Sequence, residues 1–142
     1  MSSTSTTHEE AKEAVAGLFK SIWADDLGWT FQLGNEQITI PASNPWARLV
    51  FRHQESRQYS LGQSGGRKFK RRATAFIQVF TRSGTGEETS AELVDAILTG
   101  MEGERIVDTT VCFLDVIPRE AGADGKWYQV TVEANFEYTE TK

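Results

Sequence analysis

Between Tyr128 and Tyr138 every second residue is apolar or aromatic. Tyr128, Val130, Val132, Ala134, Phe136 and Tyr138 alternate with Gln129, Thr131, Glu133, Asn135 and Glu137. Successive side chains of a strand leave opposite faces, so this run reads as a strand with one face on a core and the other on solvent or a partner. Such a strand needs neighbours and a second layer to cover its apolar side.

Two helical stripes are available for that layer. Ala11, Ala14, Val15, Leu18, Phe19, Ile22 and Trp23 recur at alternating spacings of three and one, which predicts a helix over about residues 8–24. Thr7 with Glu10 has capping-box spacing at its start, and Gly28 suits its exit. Val94, Ile97, Leu98 and Met101 form a second stripe, predicting a helix over about 86–101. Thr85 with Glu88 repeats the capping spacing, and Gly100 or Gly103 marks the stop.

The remaining strands are expected over 46–60, 67–82 and about 106–117, the last ending at Pro118, with a turn at 121–125. Ala73 to Phe80 is apolar at both parities, the pattern of a strand covered on both faces. Residues 29–45, broken by Pro41 and Pro45, read as irregular, with Trp29 and Phe31 pinned to the core. The expectation is one α+β domain over residues 1–142, ordered α-β-β-α-β-β, behind a flexible tail at 1–7. About four antiparallel strands would carry both helices on one face. The Gly-rich stretch Leu61 to Gly66 would tip a long β-hairpin arm at about 57–72.

No apolar run approaches the ~20 residues of a membrane span. Met1 to Thr7 lacks the basic start and apolar middle of a signal peptide, so synthesis in the cytoplasm is expected.

Catalytic templates find little to match. Cys112 is the sole cysteine and stands among Val111, Phe113 and Leu114, which reads as a small buried hydrophobe. The two histidines, His8 and His53, are far apart in sequence, and neither joins a nucleophile or zinc pattern. The acidic pairs Glu9-Glu10 and Glu87-Glu88 fall in first helical turns, where carboxylates meet the positive end of the helix dipole. Gly62 to Lys68 lacks phosphate-loop spacing, and Gly84-Thr85-Gly86 reads as a tight turn before a helix. No catalytic, cofactor or metal residue is expected.

Charge is the informative feature. Residues 48–72 hold eight Lys or Arg and one acid, Glu55, in a chain of net charge −5. The densest part is Arg67, Lys68, Lys70, Arg71 and Arg72. In a strand, Lys68, Lys70 and Arg72 point one way while Arg67, Phe69 and Arg71 point the other. Three readings stand: a solvated arm, a contact to an acidic neighbouring subunit, or contact with DNA. No helix-turn-helix, zinc finger or base-stacking motif supports sequence-specific reading.

Taken in order, several segments resemble the tail terminator proteins of long-tailed (siphovirus-type) bacteriophages and their minor-tail-protein-like relatives in prophages. These are the first helical stripe ending at Trp23, Pro41 to Trp46, Ser60 to Arg67, Ala75 to Phe80, the Gly84-Thr85-Gly86 turn and Gly125 to Val130. The resemblance covers almost the whole chain after residue 8. It implies a homo-hexameric ring that caps the tail tube, halts tube polymerisation and presents a surface for head–tail joining. Its partners would be itself, the tail tube protein and the head-completion or connector protein, with DNA only passing through the channel and no membrane contact. It carries over no catalytic residues. A neck or head-completion protein of the same virion class is the alternative. From another class, a small-molecule-binding module would open a pocket near Trp29 or Trp46.

Overall fold

The computed structural model describes residues 5–34, 39–41, 44–60, 62, 66–82 and 87–142. Thr7 caps α1 (His8–Lys20): its hydroxyl accepts the Glu10 N–H, and the Glu10 carboxylate accepts the Thr7 N–H. The Thr7 N–H, and after it the hydroxyl, hold the Glu10 carboxyl below its ordinary range.

After Lys20 the helix widens into a π-helical stretch, Ser21–Asp26, and Gly28 leaves it at φ +78°. The chain then folds back on Trp23. The Trp29 N–H donates to the Trp23 carbonyl at 3.1 Å, and the Trp23 indole N–H donates to the Thr30 carbonyl at 2.9 Å. Those bonds launch β1 (Thr30–Leu33), inside the stretch expected to be irregular. The sheet therefore has five strands rather than about four, and the element order gains a strand after the first helix. β1 is parallel to β2 (Trp46–Gln58), with Thr30 opposite Trp46 and Leu33 opposite Leu49. Trp29 and Phe31 do pack against the core.

β3 (Lys68–Arg82), α2 (Glu87–Met101), β4 (Cys112–Asp124) and β5 (Trp127–Thr141) complete a mixed α+β fold with strand order β1-β2-β3-β5-β4. β4 runs through Pro118 instead of ending there. It is an edge strand, so the missing N–H can face the open side. Its start is later than expected: residues 102–103 and 107–108 form turns, and between them Arg105 makes only an isolated bridge to Cys112. The β4–β5 turn shrinks to Gly125 and Lys126.

Register decides which parities share a face. Leu49 lies opposite Ile77, which lies opposite Val132; Ala73 lies opposite Phe136. This inner face joins Ala11, Val15, Phe19 and Trp23 with Leu93, Val94, Ile97 and Met101 in one buried cluster, so both helices cover the same side. Gly100 lets α2 meet the π-helical stretch closely: a Cβ there would lie 2.4 Å from Ile22 Cδ1.

The expected two-stranded hairpin arm gains a third strand. β5 accompanies β3 to its first residue, pairing Thr141 with Lys68, and Arg67 and Lys142 exchange two backbone hydrogen bonds. The arm is thus a three-stranded extension. The described end of the expected flexible tail is also held. The buried Thr6 donates its N–H to the Thr139 carbonyl at 2.8 Å, and its hydroxyl accepts the Thr110 N–H at 2.8 Å. Ser5 Oγ accepts the Thr141 N–H. Residues 5 and 6 lie beside β5 beyond the start of β4. Ala42 and Ser43, the hairpin-tip residues Leu61 and 63–65, and the Gly84-Thr85-Gly86 turn with its Thr85 cap lie outside the described residues.

Candidate assembly surface

The bulge at Gln54 and the β2–β3–β5 register place the basic run on two faces. Lys68, Lys70 and Arg72 share the outer face of the sheet, opposite the helices, with Glu55 and Arg57. Arg71 falls on the inner face with Phe69. The five cations expected to contact a partner therefore do not form one patch.

Several already have partners within the chain. Arg71 donates to Glu140 at 3.0 Å, with side chains only 18% and 16% exposed. Glu137 receives both Lys70 and Arg72 at 3.6 Å. Lys68 contributes its backbone N–H to Ser60 Oγ, and Arg67 pairs by its backbone with Lys142. Arg71 and Lys142 also stand over the Phe69 ring, at 5.6 and 5.5 Å from its centroid. Half-exposed Arg72 and Lys70, with Lys68, leave the arm's outer face basic.

That face continues basic along the sheet. Alternation puts Arg48, Arg52, Arg57, Lys68, Lys70, Arg72, Arg82 and Arg119 on it, countered by Glu55, Glu133, Glu137 and, at the β4 bulge, Asp115. Arg119 is paired with Glu133 at 2.9 Å. The helical layer is the reverse. α1 and its π-helical extension carry Glu9, Glu10, Glu13, Asp25 and Asp26 against Lys12 and Lys20, while α2 carries the exposed Glu92 and Asp95 with no Lys or Arg. The charge segregation seen along the sequence is a segregation between layers.

At its β1-side end the outer face holds an aromatic cluster. Trp46 stacks on Phe80 with centroids 4.2 Å apart, and Trp127 meets Trp46 edge-on at 6.2 Å. The Arg48 guanidinium stands 5.6 Å from the Trp46 ring and 5.8 Å from Phe80. It donates to Gln32 Oε1 and Gln78 Oε1, each at 3.3 Å. Sequence reading passed over this cluster, because Trp46, Phe80 and Trp127 lie on three strands.

The histidines, far apart in sequence, are neighbours. His8 Nδ1 lies 3.2 Å from His53 Nε2, which lies 2.7 Å from the Tyr138 hydroxyl. Thr7, Glu9, Ser56, Arg71, Glu140 and Lys142 line the same hollow. Burial first, then the charges of His8, Lys12 and Arg71, hold His53 below the ordinary histidine value. Burial chiefly raises the Tyr138 phenol, opposed by Arg71 and reinforced by Glu140. The unfolded chain protonates His53 near 6.5, whereas the folded chain does so only at lower pH. Above about 6.5 neither form carries the proton; as pH falls through that value the unfolded state gains it first, and stability drops. Urea melts between about pH 8 and 5.5 should show this decline. His53→Gln should flatten it, and an unaltered slope in the variant would assign the decline elsewhere.

The other candidates stay apart. Cys112 is half-buried at the start of β4, not fully enclosed as expected. Lys68 opens a strand, so no helix follows the Gly-rich tip as phosphate binding would require. A groove between α1, β1 and β2 is lined by Lys12, Glu13, Ala16, Leu33, Gly34, Val50 and Phe51, and neither Trp29 nor Trp46 is in its lining. Among the described residues no three His, Cys, Asp or Glu side chains gather as a metal site would need, and no helix is long and apolar enough to cross a membrane.

No family model matches the chain, and no curated protein matches it. Several solved structures match the chain, and one of them superposes with a TM-score of 0.66 over 89% of this chain and 94% of its own length, at 11% identity. At that identity the likeness concerns the architecture alone: the two-layer α+β fold is one that another protein also adopts.

Proposed function

We propose that this protein is a non-enzymatic structural component of a long-tailed phage particle, acting as a tail terminator. In this reading six copies close into a ring on the head-proximal end of the tail tube. The ring stops polymerisation of the tube protein, offers a joining surface to the head connector, and lets DNA pass through its channel. It assembles in the host cytoplasm.

The observation that supports this most is the division of charge between layers, with a basic open sheet on one side and acidic helices on the other. A ring is built from heterologous contacts, in which one patch of a subunit meets a different patch on the next. Opposite charge on opposite sides of one subunit favours that head-to-tail geometry and disfavours face-to-face pairing of like surfaces. The three-stranded extension prolongs this basic face beyond the helices, which suits contact with an acidic neighbour or the tube.

Purified protein mixed with tail tubes should appear in negative stain as a cap at one end of each tube, and capped tubes should stop growing. Reversing Lys68, Lys70 and Arg72 together to Glu should leave the domain folded, since all three point outward and the ion pairs of Lys70 and Arg72 run to Glu137 on the open face. That variant should fail to complete tails, leaving overlong tubes. Tails of normal length would remove the extension from the account, and a knockout giving filled tailless heads beside normal free tails would indicate a neck protein instead.

A further inference from the structure

One sequence signal is left unused by the fold of a single copy. Besides its apolar inner parity, β3 carries Phe76 and Phe80 on the outer parity alongside Thr74 and Gln78, more apolar than a fully solvated face would be. Yet both helices lie on its inner side, and the outer side is open. There, Val50 is 39% exposed and faces Phe76 across the β2–β3 ladder. Beside them lie Trp46, Phe80 and Trp127, with Arg48 among the rings. Buried aromatic residues and arginine are the side chains that carry most binding energy at protein interfaces.

Arg48 shows what chemistry this surface would take. Its guanidinium is half-buried and positioned by two neutral glutamine amides, and among the described residues no carboxylate is its partner. The Trp46 Nε1 atom is buried and has no hydrogen-bond acceptor among the described residues. A preorganised planar cation of this kind is matched by a carboxylate. The chain itself offers one in suitable form. α2 carries acids and no Lys or Arg, and Glu92 and Asp95 are exposed three residues apart, which puts them on one side of the helix. α1 is a poorer match, because Lys12 and Lys20 interrupt its acids.

We infer that the outer face of β2, β3 and β5 is the docking site for α2 of a second copy, with Glu92 and Asp95 of that copy meeting Arg48 beside the Trp46–Phe80 stack. The contact joins opposite layers of two identical subunits and covers the second face of β3. It names the self-contact of the proposed ring and rests on that reading for its place in a particle, but its test needs no tail tube.

Sedimentation of the full chain at low salt should show concentration-dependent self-association that weakens as salt is raised. Arg48→Glu should weaken it by about thirty-fold or more, and so should Glu92→Lys with Asp95→Lys, whose side chains lie outside the core. Circular dichroism melts of each variant confirm that the fold persists. The chain carrying all three reversals should associate again, as should a mixture of the two partial variants. A wild-type chain that stays monomeric, reversals without effect, or a triple variant that does not regain association would overturn the inference. So would a monomer that binds single-stranded oligonucleotide through Arg48. Intact self-association without tube capping would sink the terminator reading and leave this contact standing.

Discussion

Trp23→Ala is expected to destabilise the fold by about 3–5 kcal/mol, the range for truncating a large aromatic side chain in a core. Trp23 is fully buried, stacks on Phe19 at 5.8 Å, and ties the π-helical stretch to the first strand through its indole N–H on the Thr30 carbonyl. Alanine would open a cavity where α1, its extension and β1 converge, and would also strip that carbonyl of its donor. Trp23→Phe keeps most of the packing but not the donor, and should cost about 1–3 kcal/mol. Denaturant titration of both variants separates the contributions. Equal losses would mean that the hydrogen bond, rather than the ring's volume, anchors the turn; a loss below about 1 kcal/mol for alanine would mean that the cavity collapses freely.

The second large effect is expected at Arg71 and Glu140. Removing one member of a buried ion pair costs about 3–5 kcal/mol, and the residual exposure of this pair brings Glu140→Ala to about 2–4 kcal/mol. The carboxylate does more than neutralise Arg71. Lys142 shares the Phe69 ring with Arg71, so without Glu140 two cations meet at one ring with the Arg71 partner gone. Arg71→Leu with Glu140→Leu should recover most of the lost stability, because replacing both partners by apolar groups removes the desolvation penalty along with the attraction. A double variant as unstable as the single one would show that packing against Phe69, not charge balance, is what the pair supplies.

These two sites differ in how much of them can be read from the chain. The α1 stripe through Trp23 is local: helical spacing placed Ala11, Val15, Phe19 and Trp23 on one side, and all are buried. The widening after Lys20 is not local in that sense, since it depends on Trp29 and Thr30 folding back onto Trp23. β1 escaped notice for the same reason. Four residues with no alternation in burial form a strand here only because β2 lies beside them. Pro118 misled for a related reason: the residue forbids a central strand but permits an edge strand, and edge position is a property of the assembled sheet.

The basic run shows the same division. Alternation alone separated Lys68, Lys70 and Arg72 from Arg71, and the strand register agrees. That Glu137 and Glu140 would sit against them was not legible, because those partners come from some 65 to 69 residues away and the polar C-terminal end of β5 carries no apolar signal of pairing. The two histidines, 45 positions apart, are likewise joined only by the packing of α1 on the sheet.

By itself, the sequence determined the elements whose signals lie within one turn or one pleat: the two amphipathic helices, the alternating final strand, the existence of β3, the first helix cap, and the concentration of cations between residues 48 and 72. Only the tertiary structure decided which parities share a face, and hence that the cations line an open sheet while the acids ride on the helices behind it. Side-chain periodicity is set by the backbone of a single segment, whereas a face is set by register between segments far apart in the chain.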